Sequence, residues 1–209
     1  MKTKKPVIEV HCGDLPKDID FGPSVAIDTE AQGLHPRRER LCVVQLSAGD
    51  GTAHLVHFPK AEYAAPNLKA VLADKKIVKI FHFARFDIGI IRQYLGVMAT
   101  PIYCTKIASR LVRTYTDRHG LKDLCKELLG VELSKEQQSS DWAAETLSPE
   151  QVRYAAADVL HLHALKNRLD AMLAREGRGP LAESCFQFLP VRAELDRAGY
   201  ENDDVFSHI

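Results

Sequence analysis

Residues 24–30 read Ser24-Val-Ala-Ile-Asp-Thr-Glu30, and no other stretch constrains the chain as much. Val25, Ala26 and Ile27 predict a buried strand that ends in two carboxylates, Asp28 and Glu30. Strand side chains alternate faces, so residues two apart point the same way. At ~3.3 Å of rise per residue, the two Cα atoms stand roughly 6–7 Å apart on one side of the strand. Like charges that close repel unless a cation lies between them, and the stretch contains no Lys or Arg. Either the acids open into a solvated turn at Gly33, or the pair binds metal. The choice rests on whether the chain brings further acids to the same place.

Strand patterning recurs on both sides. Residues 7–10 read as a short edge strand, and residues 41–47 and 53–57 as two more, joined by the hairpin loop Ser47-Ala-Gly-Asp-Gly51. Three consecutive strands with short links predict an antiparallel meander. The pattern then changes to helix over 67–72, strand over 77–83, and helix over 86–95 stopped by Gly96. A short strand at 103–104 and a helix over 106–112 follow. Leu121, Leu124, Cys125, Leu128 and Leu129 trace a helical stripe that ends at Gly130. Strands first, then helices alternating with strands, predict an α/β fold with a mixed sheet flanked by helices. A further helix starts at Ser148. Ser148 is its N-cap, Pro149 sits at N1, Gln151 completes a capping box, and Leu147 and Val152 form a hydrophobic staple. It is expected to run to about residue 175, where Glu176-Gly-Arg-Gly-Pro180 breaks it. A last helix over about 181–198 precedes a polar tail. One domain over 1–209 is expected, with 181–209 packing on the core or at a subunit interface.

Two helices carry acids where core residues belong. Asp87 shares a stripe with Ile90, Ile91, Tyr94 and Leu95. Asp158 shares one with Ala155, Leu162, Leu165 and Leu169, and Tyr154 stands four residues before it. A buried unpaired carboxylate costs several kcal/mol. Asp87 near a helix start admits a capping role, and Asp158 admits an arginine partner. Convergence on divalent cations accounts for all four acids at once. Oxygen-only ligands favour hard ions, Mg²⁺ or Mn²⁺. Carboxylates around two ions ~4 Å apart suit in-line phosphodiester cleavage.

Composition narrows the substrate and the compartment. Lys+Arg and Asp+Glu balance at 28 each, which argues against a coat protein for long nucleic acid but leaves room for a site for a short one. The five cysteines form no C-x-x-C pair, the pattern of reduced cysteine in a cytoplasmic protein. Met1-Lys-Thr-Lys-Lys-Pro6 leads into no apolar h-region, and no membrane span is expected.

In their order and spacing, Asp28-Thr-Glu30, His82-Phe-Ala-Arg-Phe-Asp87 and Tyr154-Ala-Ala-Ala-Asp158 resemble the three motifs of the DEDD exonucleases. Tyrosine four before the last acid is similar to the tyrosine subgroup, which includes ribonuclease D. Leu41-Cys-Val-Val-Gln-Leu-Ser47, Thr114-Tyr-Thr-Asp-Arg-His-Gly-Leu121, Gln138-Ser-Ser-Asp-Trp-Ala-Ala-Glu-Thr-Leu147 and Cys185-Phe-Gln-Phe-Leu-Pro190 resemble the nanoRNase C group, its short relatives. No helicase-and-RNase-D domain is expected after Ile209, a departure from ribonuclease D.

The resemblance implies a ribonuclease H-like 3′–5′ exonuclease fold and two divalent ions, Mg²⁺ or Mn²⁺. It implies Asp28, Glu30, Asp87 and Asp158 as metal ligands and Tyr154 as the residue that orients the attacking water. It further implies diribonucleotide substrates, 5′-mononucleotide products and a ring-shaped homo-octamer. Leu34 either wedges between the two bases or packs its turn. Arg113, Arg118 and His119 either cap a 5′-phosphate or form a solvated basic face. His82 either hydrogen-bonds near the site or packs. Trp142 either stacks on a base or anchors the core, and Phe186 and Phe188 read as core or interface. His161 and His163, at i and i+2 on a helix, do not face each other as zinc ligands would. Three rival readings remain: a general exonuclease for longer RNA or DNA, a non-catalytic nucleic-acid-binding module, and a Mg²⁺ phosphatase with an aspartyl nucleophile.

Overall fold

The computed structural model describes residues 5–33, 38–134, 137 and 140–208. The expected edge strand is β1 (Val7–Cys12), and the meander is β2 (Ser24–Ala31), β3 (Leu41–Ser47) and β4 (Thr52–His57). β2 pairs antiparallel with β3, β3 antiparallel with β4, and β1 lies parallel to β4. After helix α1 (Pro66–Ala73), β5 (Val78–Phe81) joins β2 in parallel. Helix α2 (Ala84–Leu95) then leads to β6 (Ile102–Cys104), parallel to β5. The result is a mixed six-stranded sheet in the order β1-β4-β3-β2-β5-β6. All seven residues of β3 are buried, the signature of a central strand covered on both faces. A register shift between Glu30 and Ala31 marks the end of β2, just past the two motif acids, which pair with Gln45 and Val43 of β3.

Helix α3 (Thr105–Val112) follows β6 directly. The stripe at 121–129 is helical but not uniform. α4 (Leu121–Leu124) widens into a π-helical turn over Cys125–Leu129, capped by Gly130 at φ 71°. The Ser148 N-cap, Pro149 at the helix start and the capping box are as expected. Ser148 Oγ accepts from the Gln151 amide at 3.2 Å, and the Gln151 side chain accepts from the Ser148 amide at 2.8 Å. The long helix it opens is a correction to the expected single rod. α5 (Pro149–Leu160) stops at His161, at φ −106° and ψ −7°, and α6 (Leu162–Arg175) follows as a separate helix. The two pack on different partners, α5 on β2, β3 and β4, and α6 on α3 and β5.

α7 (Gly179–Ala198) buries Ala182, Phe186, Leu189 and Ala193 against α2, β6 and their neighbours. A forked ion pair fastens it to α2, with Arg85 Nε and Nη2 donating to Asp196 at 2.5 and 2.7 Å. Phe188, the second aromatic of this helix, stays 37% exposed, its ring tilted against that of Phe206 at 5.8 Å. None of the described helices is long and apolar enough to cross a membrane.

The capping box gives a direct check. Ser148→Ala is expected to cost about 1 kcal/mol, read as a lower urea midpoint with an unchanged m-value.

Candidate functional site

Three elements deliver four acids to the end of the sheet. β2 carries Asp28 and Glu30, α2 carries Asp87 in its first turn, and α5 carries Tyr154 and Asp158 one turn apart. Asp87 is not the N-cap of its helix. That position belongs to Phe83, a non-glycine residue at φ 71°. β5 therefore ends at Phe81, earlier than the strand expected over 77–83, and the sharp turn at Phe83 folds α2 back so that Asp87 faces the sheet end.

Carboxylate oxygens of Asp28, Glu30 and Asp158 all lie within 4.8 Å of one another. Asp87 stands beside this triad, 3% exposed, with its Oδ1 accepting from Thr29 Oγ1 at 2.7 Å. Glu30 Oε1 accepts from Gln45 Nε2 at 3.4 Å, and Gln45 itself is fully buried on β3. Among the described residues, none of the four acids forms an ion pair, so the arginine partner considered for Asp158 is absent. Burial pushes the Asp28 carboxyl up to about 7. Burial, together with the neighbouring acids, holds Glu30, Asp87 and Asp158 well above the usual carboxylate range. A cluster whose members cannot all ionise unaided, built from oxygen donors alone, fits one or two hard divalent cations.

The acids line a cleft of about 780 Å³. Tyr154 borders it, its ring 6.0 Å from that of Trp142. Trp142 is 2% exposed, so it serves as an anchor under Tyr154 while one edge reaches the cleft. Burial, then the charges of Asp158, Glu30 and Asp28, raise the Tyr154 hydroxyl, which keeps its proton at neutral pH. His82 also lines the cleft and shares a 2.8 Å hydrogen bond between Nδ1 and Thr105 Oγ1. Burial and the nearby Lys106 lower its imidazole to about 3, so His82 is neutral.

The other residues singled out from sequence divide. Leu34 lies outside the described residues. Arg113 is corrected: its side chain is fully buried, it is ion-paired to Glu127, and Nη1 donates to Ser109 Oγ at 3.1 Å and to the Arg118 carbonyl at 2.6 Å. A guanidinium so committed holds the fold rather than a phosphate. His119 joins the same cluster through a 2.9 Å bond between Nδ1 and Ser109 Oγ, and the exposed Arg118 does not line the cleft. His163 Nε2 contacts the Ser24 carbonyl at 3.2 Å, a bond that ties α6 to β2.

Sequence reasoning missed four contributors. Among the described residues, Lys106 and Lys122 are the cations that border the cleft, and Lys106 Nζ sits 4.4 Å from the centre of the Phe83 ring. Thr29 and Gln45 fasten Asp87 and Glu30. Thr29 stands between the two motif acids, so its place on the opposite face of β2 is readable from strand alternation alone.

The sequence matches the 3′–5′ exonuclease family over residues 12–174. Ribonuclease D of Gluconacetobacter diazotrophicus is 36% identical over 156 residues, 75% of this chain and 39% of that protein. The chain spans about two fifths of the length of the ribonuclease D relatives it matches. The solved structure of Brucella melitensis NrnC bound to pGG superposes with a TM-score of 0.94 at 53% identity, covering 98% of this chain and 100% of that one. NrnC has also been solved with bound Mg²⁺, at a TM-score of 0.93 over 97% of this chain and 100% of the other. The crystal structure of Escherichia coli RNase D gives a TM-score of 0.73 at 26% identity, over 82% of this chain and 45% of that one.

Two outcomes are expected. In chelator, the folded acids bind more protons than their unfolded counterparts, so stability falls as pH rises from about 4 to about 7, by on the order of a few kcal/mol. Millimolar Mg²⁺ flattens that slope, measured as Tm at pH 5 and pH 8; the same slope with and without Mg²⁺ would contradict metal binding by the cluster. Thr29→Val removes the hydroxyl that holds Asp87 and is expected to raise the Mg²⁺ concentration for half-maximal turnover, with Thr29→Ser restoring it.

Proposed function

This chain belongs to the ribonuclease D-like DEDD 3′–5′ exonucleases, and from that premise we propose that it hydrolyses very short RNA, 5′-phosphorylated diribonucleotides by preference. The observation that supports the short substrate is the likeness to NrnC, which runs the whole length of that chain and was solved with the dinucleotide pGG. Ribonuclease D, the alternative source of substrate, is matched over less than half its length.

Asp28, Glu30 and Asp158 are the residues suited to one divalent ion, and Asp28 with Asp87 to a second. Mg²⁺ or Mn²⁺, when bound, would lower the pKa of water and neutralise charge on the phosphoryl oxygens. The chain's own groups do the rest. The Tyr154 hydroxyl, kept protonated, orients the attacking water by hydrogen bonding and does not act as a base. Neutral His82 offers a hydrogen bond without adding charge, and Lys106 and Lys122 border the cleft for the substrate phosphate. A chain of zero net formal charge suits a ligand with few phosphates. Products are 5′-mononucleotides released from the 3′ end.

The reading includes a homo-octamer acting in the cytoplasm. Leu181, Phe188 and Val191 on α7, with Phe206 beyond it, present apolar surface suited to a subunit contact.

A length-resolved time course on 5′-phosphorylated RNAs from the dinucleotide upward tests the reading. Dinucleotides are expected to vanish far faster than longer chains in Mg²⁺ or Mn²⁺ and to persist in chelator. Tyr154→Phe is expected to lose on the order of 10²-fold or more in turnover, the scale of a positioned proton-bearing group, while retaining metal-dependent stability. Similar rates at all lengths would make the chain a general 3′–5′ exonuclease.

A further inference from the structure

The β1 edge of the sheet holds a second group of metal-ligating side chains. Parallel pairing sets Glu9 of β1 directly beside His54 of β4. His11 lies two residues beyond Glu9 and so shares its face of the strand. His11 Nε2 and His54 Nδ1 are 3.2 Å apart, and Glu9 Oε2 lies 3.8 Å from the first and 3.4 Å from the second. Three ligands at 2.0–2.2 Å around a tetrahedral ion stand about 3.3 Å from each other. The three separations scatter around that edge length, so a single ion fits between these atoms after small side-chain shifts.

We propose that Glu9, His11 and His54 form a zinc-class site, a His₂Glu set that fastens the edge strand β1 to β4 and is separate from the carboxylate cluster. None of the three residues lines the cleft that holds the acids. Imidazole nitrogens select borderline ions such as Zn²⁺ over the hard Mg²⁺ that oxygen-only clusters take. The two imidazoles are already withdrawn from water, with side chains 14% and 11% exposed, while the 49% exposed Glu9 leaves the fourth position open to water. The Phe21 ring meets His54 edge-on at 5.8 Å and limits its movement. Burial and the neighbouring His54 lower the His11 imidazole, which favours the neutral form that binds metal. Without an ion, one ring must donate its N–H to the other, and the pair is a single hydrogen bond. With one, both nitrogens become acceptors of the same cation. β1 is an edge strand, paired among the described residues with β4 alone, so a clasp here acts on a strand held from one side.

The test uses the full chain with its carboxylate cluster disabled, Asp28→Asn with Asp158→Asn, so that binding there does not mask the second site. Zn²⁺ alone is titrated by calorimetry, and Co²⁺ serves as an optical reporter of coordination. One Zn²⁺ per chain, a rise in Tm, and the strong visible absorption of four-coordinate Co²⁺ are expected. Adding His11→Gln or Glu9→Gln is expected to weaken Zn²⁺ by more than the roughly 10–100-fold that loss of a hydrogen-bond partner behind a ligand costs, and to abolish the Co²⁺ band. Circular dichroism verifies that each variant is folded. If His54→Gln fails to fold, the two β1 variants, on the edge strand, decide. Zn²⁺ affinity unchanged in both β1 variants, no binding at 100 µM Zn²⁺, or only the weak absorption of six-coordinate Co²⁺ overturns the proposal.

Discussion

Mutual repulsion among Asp28, Glu30, Asp87 and Asp158 is the condition that the architecture is built to withstand. Each acid is brought in by an element whose own stability lies elsewhere: β2 in the middle of the sheet, α2 under α7, and α5 with its capping box across the meander. No Lys or Arg among the described residues closes an ion pair with any of them. What restrains them are neutral donors, Thr29 on Asp87 and Gln45 on Glu30. Neutral donors orient a carboxylate without supplying the positive charge that would satisfy it, which leaves the electrostatic deficit for a cation to fill.

The backbone turn at Phe83 belongs to the same design. A strand that ran through 77–83 would carry α2 past the sheet end. Ending β5 at Phe81 and turning through positive φ returns Asp87 to the other acids and leaves the Phe83 ring 45% exposed beside Lys106. Backbone in that region is costly for a residue with a side chain, and it occurs where function over-determines geometry. The two metal-suited clusters also divide the sheet by chemistry. Oxygen donors gather beyond the ends of β2, while imidazoles gather on the edge pair β1 and β4. One sheet thus offers a hard and a borderline environment at separate places.

Much of this was legible in the amino-acid order, because the signals were local. Alternation located the meander, Ser148, Pro149 and Gln151 located the start of α5, and acids on apolar stripes exposed Asp87 and Asp158. What escaped was long-range or lacked a breaker residue. No Gly or Pro announces the break at His161, where the chain passes from α5 on the meander to α6 on α3 and β5. Arg113 sits in a basic run that looks solvated, and only the fold shows that Glu127 and the Arg118 carbonyl bury it. Lys106 carries no motif of its own and becomes a cleft residue because α3 starts where β6 ends. His11 and His54 meet across 43 residues through a parallel register that hydropathy does not encode.

The forked pair between Arg85 and Asp196 joins positions 111 residues apart and holds the helix that carries Asp87. A second pair, Arg92 Nε with Glu194 Oε1 at 3.2 Å, joins the same two helices. Neither Arg85 nor Asp196 lines the cleft, yet both act on the helix that aims Asp87. The spacing of the acids is therefore open to influence from the outer face of α7, through a lever that never meets the substrate.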